Sequence, residues 1–391
     1  MLICSDASQT EACSPSQVHG VSRIDHRGSW SPAYPPDMAR SAVYARSRAQ
    51  VVRICDSVND ARTLRLQLLE EIRLAVGFDS YAWLLTDPET SVGAAPLADV
   101  PCLPELPRLI RLKYLTVINR WTTLGSPPVA LLRESTAGDL SLSLLWRELL
   151  IRYSIVDVAS LVFRDKFGCW GFLDLWRSGT SAVFSRDEAD FLTSIAASVA
   201  TALRRSQAHA FVVGTQRDAA RLGPVVLLLS AELEVLRQTP QTENYLRILV
   251  PPQEDRQPIP ASAYNVAAQL LSSEANVDQS PPWARVHLAD GLWLTLRAAR
   301  IGDARSGPER DIAVTIEQTS PPERIALFAR AFGFSPRERE LFGHLVTGAD
   351  TREMAGLMFL SEHTIQDHLK SIFAKTSAHN RRTLLSFALG T

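Results

Sequence analysis

The spacing of apolar residues predicts alternating helices and strands in the first half of the chain. Apolar residues recur at every fourth position over Leu64–Val76, the pattern of one helix face. Gly77 is expected to end this helix as a C-terminal cap. The aromatic and aliphatic run Tyr81–Thr86 predicts a strand, and the runs Val158–Phe163 and Trp170–Trp176 predict a β-hairpin.

A long helix is predicted after the hairpin. Ser185 and Glu188 have the spacing of a capping box, in which each side chain bonds the backbone N–H of the other residue. The apolar positions of this helix follow a three-then-four spacing: Leu192, Ile195, Val199 and Leu203. Such a seam is typical of paired helices. It indicates either a contact with a second copy of the chain or packing on the sheet of its own domain.

A second group of elements begins near residue 222. Five apolar runs predict strands: 225–229, 235–238, 284–288, 293–297 and 312–316. Two helical stretches, 240–249 and 260–273, lie between the second and third runs. Asp290-Gly291 separates two of the runs and is a strong hairpin signal. The order of these elements predicts an antiparallel sheet with helices on one face, an α+β unit.

The last segment predicts four helices with clear N-terminal caps. The caps and their partners are Ser335 with Glu338, Asp350 with Glu353, Ser361, and Asn380. A three-residue turn, Phe359–Ser361, joins the second helix to the third, whose apolar face carries Ile365, Leu369 and Ile372. Two short helices joined by a tight turn, the second with one polar face, form a helix-turn-helix pattern.

These patterns predict a multidomain chain. Residues 1–44 are rich in Ser and Pro and are expected to be a disordered lead-in. Residues 45–205 and 222–318 are expected to form α+β domains joined by a helical linker at 206–221. Residues 325–391 are expected to form an all-α four-helix domain.

Composition narrows the possible classes of function. The 391 residues carry a formal net charge of −1, so any contact with nucleic acid must come from a local patch. No apolar run approaches the ~18 residues of a membrane span, and the first residues lack a secretory pattern. The five cysteines are scattered and never spaced as CxxC, so we expect a cytoplasmic protein without a metal site.

Common catalytic motifs are absent from the sequence. It contains no GxxxxGK[ST], GxGxxG, GxSxG or HExxH. We therefore expect no enzymatic activity and identify no cofactor.

The C-terminal segment resembles the LuxR-type DNA-binding domain. The stretches that carry the resemblance are Ser335-Pro-Arg-Glu338, Ser361-Glu-His-Thr-Ile-Gln-Asp-His-Leu-Lys370, Ile372-Phe-Ala-Lys375 and Asn380-Arg381. Members of that family usually continue after the Lys375 position with Leu-Gly-Val, whereas this chain has Thr376-Ser377-Ala378. By element order, residues 45–205 resemble a GAF domain and residues 222–318 resemble a PAS domain. The resemblances imply double-stranded DNA as a partner, a homodimer, and a small-molecule effector.

The third helix of this segment would then enter the major groove of DNA. Its residues predicted to read base edges are Gln366, Asp367 and Lys370. The residues predicted to contact phosphates are Ser361, Thr364, Lys375, Arg381 and Arg382. From Ser361 onward four lysines and arginines face two acidic residues, a net charge of +2. This patch is small, so a dimer should be needed for tight binding.

These observations predict a sequence-specific transcription regulator whose N-terminal domains sense a signal or dimerise. The alternative is a small-molecule-binding signalling protein or enzyme whose C-terminal helices form a protein interaction module. A cationic face on the third helix favours the first interpretation, because an interaction module would not need one.

Overall fold

The computed structural model describes residues 37–213, 225–242, 261–287, 292–302 and 311–390. The helices are α1 (Asp37–Ser57), α2 (Ala61–Ala75), α3 (Leu106–Leu115), α4 (Leu132–Ser135), α5 (Leu144–Glu148), α6 (Arg186–Val213), α7 (Ala261–Glu274), α8 (Pro321–Ala331), α9 (Pro336–Val346), α10 (Thr351–Met358), α11 (Glu362–Thr376) and α12 (Arg381–Leu389). The strands are β1 (Ser80–Thr86), β2 (Gly93–Asp99), β3 (Val129–Leu131), β4 (Ile155–Asp165), β5 (Gly168–Ser178), β6 (Val225–Leu229), β7 (Val235–Gln238), β8 (Trp283–His287), β9 (Trp293–Arg300) and β10 (Ile312–Gln318). Two antiparallel sheets therefore precede a helical C-terminal region.

The first sheet has the strand order β2-β1-β5-β4-β3. Its central hairpin is β4 and β5, which pair in register from Asp165 opposite Gly168 to Ile155 opposite Ser178, with two irregularities. Successive side chains point to opposite faces of the sheet. Leu173 and its neighbours on one face pack in a core with α1, α2 and α6, whereas Phe172 on the other face packs with Tyr114 of α3 and with Trp121. The sheet is therefore covered by helices on both faces.

The second sheet repeats this order as β7-β6-β10-β9-β8. Helix α7 packs on β9, β10 and β8, and it also contacts α3 and β2 of the first unit. One buried apolar cluster accordingly contains Tyr114 and Trp121 together with Val266 of α7 and Leu296 of β9. The two sheet units share a core and form one body.

Most predicted elements are observed, and the differences follow from packing. The predicted strands and the helix at 260–273 are present, and Ser185 and Glu188 form the predicted capping box. The predicted hairpin turn at 290–291, most of the predicted helix at 240–249 and most of the lead-in lie outside the described residues. Gly77 does not have the left-handed backbone of a C-terminal cap, and the helix ends through an N–H bond from Val76 to Ile72. The short strands β2 and β3 have no alternating pattern in the sequence and exist because they pair with β1 and β4.

Both ends of the first unit differ from the sequence-based boundaries. Residues 37–44 belong to helix α1 rather than to the lead-in, and Tyr44 stacks on Phe191 of α6. Helix α6 continues through residue 213, so residues 206–213 extend the closing helix instead of forming a separate linker. Residues 214–221 lie outside the described residues. The stacking of Tyr44 on Phe191 stabilises the start of α1, and the stacking of Phe211 on Trp293 of β9 stabilises the end of α6.

The apolar seam of α6 is buried within its own chain. Leu192, Ile195 and Val199 have no exposed surface, and Leu203 is nearly as buried, because α6 lies across β4 and β5 and against α1 and α2. A second copy cannot reach these side chains. The seam therefore packs within its own domain, because α6 buries the apolar face of the five-stranded first sheet.

Candidate nucleic-acid interface

The C-terminal unit has five helices, α8–α12, rather than the four predicted, because α8 precedes the predicted set; the caps of α9 and α10 are those predicted. The Ser335 N–H donates to Glu338 Oε2 at 2.6 Å, and the Glu338 N–H donates back to Ser335 Oγ at 3.2 Å. Asp350 and Glu353 make the same reciprocal pair, both at 2.8 Å. Each pair satisfies two N–H groups that a helix start leaves without partners. Helices α9 and α10 therefore begin where the sequence indicates.

A tight turn joins α10 to α11. Phe359 ends α10 in the left-handed backbone region (φ 55°), and Ser361 caps α11 by accepting the Thr364 N–H at 3.1 Å. Ile365 and Leu369 of α11 are buried against the unit's core. The opposite face of α11 is left exposed. This arrangement is a helix-turn-helix with α11 as its outward-facing helix.

The exposed face of α11 carries the three residues predicted to read bases. Gln366 is exposed, and the side chains of Lys370 and Asp367 are 72% and 56% exposed. Lys370 Nζ donates to Asp367 Oδ1 at 3.2 Å, and this bond lowers the pKa of Asp367. The side chains form an amide, a cation and an anion side by side on one surface, with donors and acceptors that match base edges.

Thr351 connects two residues with different predicted roles. Its Oγ1 accepts a hydrogen bond from Arg381 Nη2 at 2.6 Å and from Gln366 Nε2 at 3.4 Å. Sequence reasoning missed Thr351, because a hydroxyl at the first position of a helix looks like an ordinary helix start. Thr351 holds the start of α12 beside the exposed face of α11.

Lys375 lies in a different environment from Lys370. Its Nζ donates to Glu338 Oε2 at 2.6 Å and to the Gly333 carbonyl at 3.2 Å. Burial alone would raise the pKa of Glu338, but hydrogen bonds from Lys375, Ser371 and the Ser335 N–H outweigh it and hold that pKa at about 2. Lys375 therefore joins the end of α11 to the start of α9.

The other predicted phosphate contacts lie at two ends of helices. Ser361 and Thr364 stand at the start of α11, with their hydroxyls 2.9 Å apart. Arg382 is exposed in the first turn of α12, next to the half-buried Arg381. The structure thus brings Gln366 and Arg381 together through Thr351. Lys375 instead contacts Glu338 and Gly333 and does not join the predicted base-reading residues.

The described residues were also compared with the requirements of a membrane span and of a metal site. Even the long helices α1 and α6 lack a stretch apolar enough to cross a membrane, and no other described helix has one. The described residues also contain no cluster of three or more histidine, cysteine or acidic side chains placed to hold a metal ion.

The geometry defines the C-terminal unit as a helix-turn-helix of the DNA-binding class. Residues 333–388 match the family described as bacterial regulatory proteins, luxR family. The C-terminal unit is therefore a LuxR-type helix-turn-helix.

Two curated proteins match the same region. They are the probable csgAB operon transcriptional regulatory protein of Salmonella typhimurium and the CsgBAC operon transcriptional regulatory protein of Escherichia coli. Each is 38% identical over 52 residues, which is 13% of this chain and 24% of the relative. The chain thus matches about a quarter of the length of these two transcriptional regulatory proteins.

Solved structures give weaker likenesses. Escherichia coli SdiA has 11% identity and a TM-score of 0.33, covering 89% of this chain and 97% of its own. The VqmA–ligand–DNA complex of Vibrio cholera has 19% identity and a TM-score of 0.21, covering 43% of this chain and 82% of its own. At these scores neither structure supports an inference about function.

Proposed function

We propose that this chain is a sequence-specific, DNA-binding transcription regulator whose helix α11 enters the major groove. The observation that carries the proposal is the two-sided character of α11. Ile365 and Leu369 are buried on its inner face, while Gln366 and Lys370 stand exposed on its outer face. A helix held in this way can present an amide and an ammonium group to base edges.

The exposed residues have different proposed roles. Gln366 can form a paired hydrogen bond with adenine, Lys370 can donate to guanine, and Asp367 can accept from cytosine. The proposed phosphate contacts, which set register and carry no sequence information, are Ser361, Thr364, Lys375, Arg381 and Arg382. The bonds of Lys375 to Glu338 and Gly333 favour a second role for this residue, that of positioning α11.

The two sheet units have the proposed role of sensing a signal and bringing two chains together. Their shared strand order and their helical cover support comparison with GAF-like and PAS-like domains at 45–205 and 222–318. A dimer would double the small cationic patch and place two recognition helices on half-sites ~34 Å apart. Since the seam of α6 is buried, the dimer contact belongs to another surface. The regulator would act in the cytoplasm, because bacterial DNA lies there.

The direct test is selection of DNA sequences from a random pool by the intact chain. We expect a defined motif with two half-sites. Gln366→Ala should relax the preference at one base pair and cost ~1–3 kcal/mol on the selected site.

Arg337→Ala is the matched control, because Arg337 is exposed on α9 and pairs only with Glu340 among the residues described. It should leave the motif unchanged. If no motif emerges from the pool, the C-terminal unit is better explained as a protein interaction module.

A further inference from the structure

The tip of the β4–β5 hairpin lies against the C-terminal unit. Asp165 organises this tip, because its Oδ1 accepts the Phe167 N–H and the Trp170 indole N–H, both at 2.8 Å. Its Oδ2 accepts a hydrogen bond from Arg204 Nε of α6 at 2.7 Å. The Arg204 guanidinium also lies over the Phe167 ring, 4.9 Å from the centroid. The hairpin tip is therefore fixed to α6 by several contacts at once.

This tip holds the turn between α8 and α9. Arg204 Nη1 donates to the Ala331 carbonyl at 3.2 Å, and Arg330 Nη1 donates to the Phe167 carbonyl at 2.8 Å, so each side bonds the other. A β-carbon on Gly333 would lie 3.1 Å from Arg204 Nη1 and 3.1 Å from the Phe167 ring, closer than ordinary van der Waals contact. The turn and the hairpin tip are therefore packed directly on each other.

The same turn holds the end of the outward-facing helix α11. Lys375 Nζ donates to the Gly333 carbonyl at 3.2 Å and to Glu338 Oε2 at 2.6 Å. Ser371, one turn earlier on α11, donates to Glu338 Oε1 at 2.6 Å. Gly333 thus lies against the hairpin tip on one side and bonds α11 through its carbonyl on the other. This residue joins the first sheet unit to the helix that carries the predicted base-reading side chains.

We propose that Arg204 and Phe167 are positioning residues for DNA reading, which act on α11 through Gly333 and Lys375. The proposal rests on the proposed DNA-binding function. Side chains that recognise a ligand must be held within about 0.5 Å of their working position by the groups behind them. At the end of α11 the groups behind Lys375 are held in turn by the first sheet unit, which would then influence DNA reading without touching DNA.

The first test compares two neighbouring arginines of α6 in the intact chain. Arg204→Met removes the bonds to the hairpin tip and to the α8–α9 turn. Arg205→Met is the matched control, because Arg205 contacts Cys55 and Asp56 of α1 instead. We expect Arg204→Met to lower the ratio of binding to selected over random DNA by about two- to thirtyfold, and Arg205→Met to leave this ratio unchanged.

Fluorescence anisotropy, well below the melting temperature of each variant, measures both affinities. A contact that only stabilised the fold would lower the melting temperature and leave the ratio of specific to random binding unchanged. The ratio therefore separates positioning of α11 from a general contribution to stability.

The second test compares two glycines of the C-terminal unit. Gly333 and Gly348 both have positive φ, 65° and 91°, so alanine strains the backbone at either place. Only the β-carbon at Gly333 meets other groups, since nothing lies within 4 Å of one at Gly348. We expect Gly333→Ala to lower the DNA-binding ratio as Arg204→Met does, and Gly348→Ala to lower the melting temperature alone. Phe167→Ala, which removes the ring beside Gly333, should also lower the ratio.

Hydrogen exchange tests the same link without DNA. The Phe334 N–H donates to the Ala329 carbonyl across the α8–α9 turn at 2.9 Å, so its exchange reports on that turn. The amides in the last turn of α11 report on the helix end that Lys375 anchors. We expect Arg204→Met to speed exchange several-fold at both places and Arg205→Met to speed it at neither.

Several outcomes contradict the proposal. An unchanged DNA-binding ratio in Arg204→Met shows that the hairpin tip does not position α11 for DNA reading. An equal loss in the two arginine variants shows that the hairpin tip has no particular role. If Arg204→Met fails to fold, Gly333→Ala against Gly348→Ala decides. If the wild-type chain selects no DNA motif, the proposed function fails by itself; faster exchange in α11 then supports the link to that helix, and unchanged exchange contradicts it.

Discussion

The C-terminal unit has two surfaces of opposite character. Its inner surface, formed by the buried face of α8 and the residues that hold it, faces the two sheets. Its outer surface, formed by Gln366, Asp367 and Lys370 of α11, is exposed. Both surfaces are rich in charged side chains, so the sequence alone makes them look alike.

Arginines on the inner surface are fixed by several bonds each. Arg285 of β8 makes two hydrogen bonds to Asp87 of the first unit, at 2.7 and 2.9 Å, and donates to the Glu323 carbonyl of α8 at 3.1 Å. At the other end of α8, Arg204 donates to the Ala331 carbonyl at 3.2 Å and Arg330 to the Phe167 carbonyl at 2.8 Å. These bonds join the three units at both ends of one helix.

The charges of the outer surface have only loose partners. Lys370 and Asp367 pair with each other on one turn of α11, and exposed pairs of this kind contribute little to stability. Side chains that are free to exchange partners can bind DNA at small cost, whereas those of the inner surface cannot. The charges of the inner surface therefore hold α8 in place, whereas those of the outer surface are available to DNA.

The largest expected effect comes from breaking the inner surface. Arg285→Met leaves the carboxylate of Asp87 buried without its partner, because both side chains are almost fully enclosed (1% and 0% exposed). The loss of one partner of a buried pair costs ~3–5 kcal/mol. We expect this loss in the free energy of unfolding, measured by urea titration with circular dichroism.

Arg337→Met is the control for this measurement, since it removes a pair on the surface of α9. It should cost less than ~1 kcal/mol. A similar loss for the two variants would show that burial does not distinguish the pairs.

The two lysines of α11 should differ in what their loss affects. Lys370→Ala should weaken binding to the selected DNA site by ~1–3 kcal/mol and leave the melting temperature unchanged, because its side chain is exposed. Lys375→Ala should lower the melting temperature, since it leaves Glu338 without its ammonium partner. Binding isotherms on specific and random DNA, with melting curves, test both variants. Equal melting temperatures for all three proteins would contradict the positioning role of Lys375.

A pH dependence should accompany the Lys375–Glu338 pair. The pKa of Glu338 is about 2, below its ordinary value of 4.5, so its contribution to stability is complete above pH 4.5 and is lost as the pH falls towards 2. Glu338→Gln should cost about 1.5 kcal/mol near pH 7. Melting temperatures from pH 7 to pH 3 should converge for wild type and variant; a constant difference would show that Glu338 is not ionised in the pair.

The smallest expected effect lies at the turn after α11. Ser377 has a left-handed backbone (φ 54°), a region that favours glycine, at the place where the LuxR-type pattern has glycine. Ser377→Gly should stabilise the chain by about 0.5–1 kcal/mol without changing DNA preference. Ala374→Gly, at an exposed position in the last turn of α11, should instead destabilise it. Thermal melts that move in the same direction for both would contradict this explanation.

Local signals in the sequence were sufficient for the helix-turn-helix and for most strands. The caps at Ser335, Asp350 and Ser361 act within three residues of the chain, and alternation in a strand is a property of neighbouring positions. Such signals do not depend on what lies elsewhere in the fold. The exposed face of α11 was therefore predicted with Gln366 and Lys370 on it.

The tertiary structure alone decided which charges and apolar seams face water. The seam of α6 is buried because a sheet lies under it, and Lys375 differs from Lys370 because Glu338, far away along the chain, reaches its ammonium group. The bonds from Arg285 to Asp87 and from Arg204 to the Ala331 carbonyl join residues separated by many elements. Burial and pairing arise from the whole packed chain, so no local pattern could indicate them.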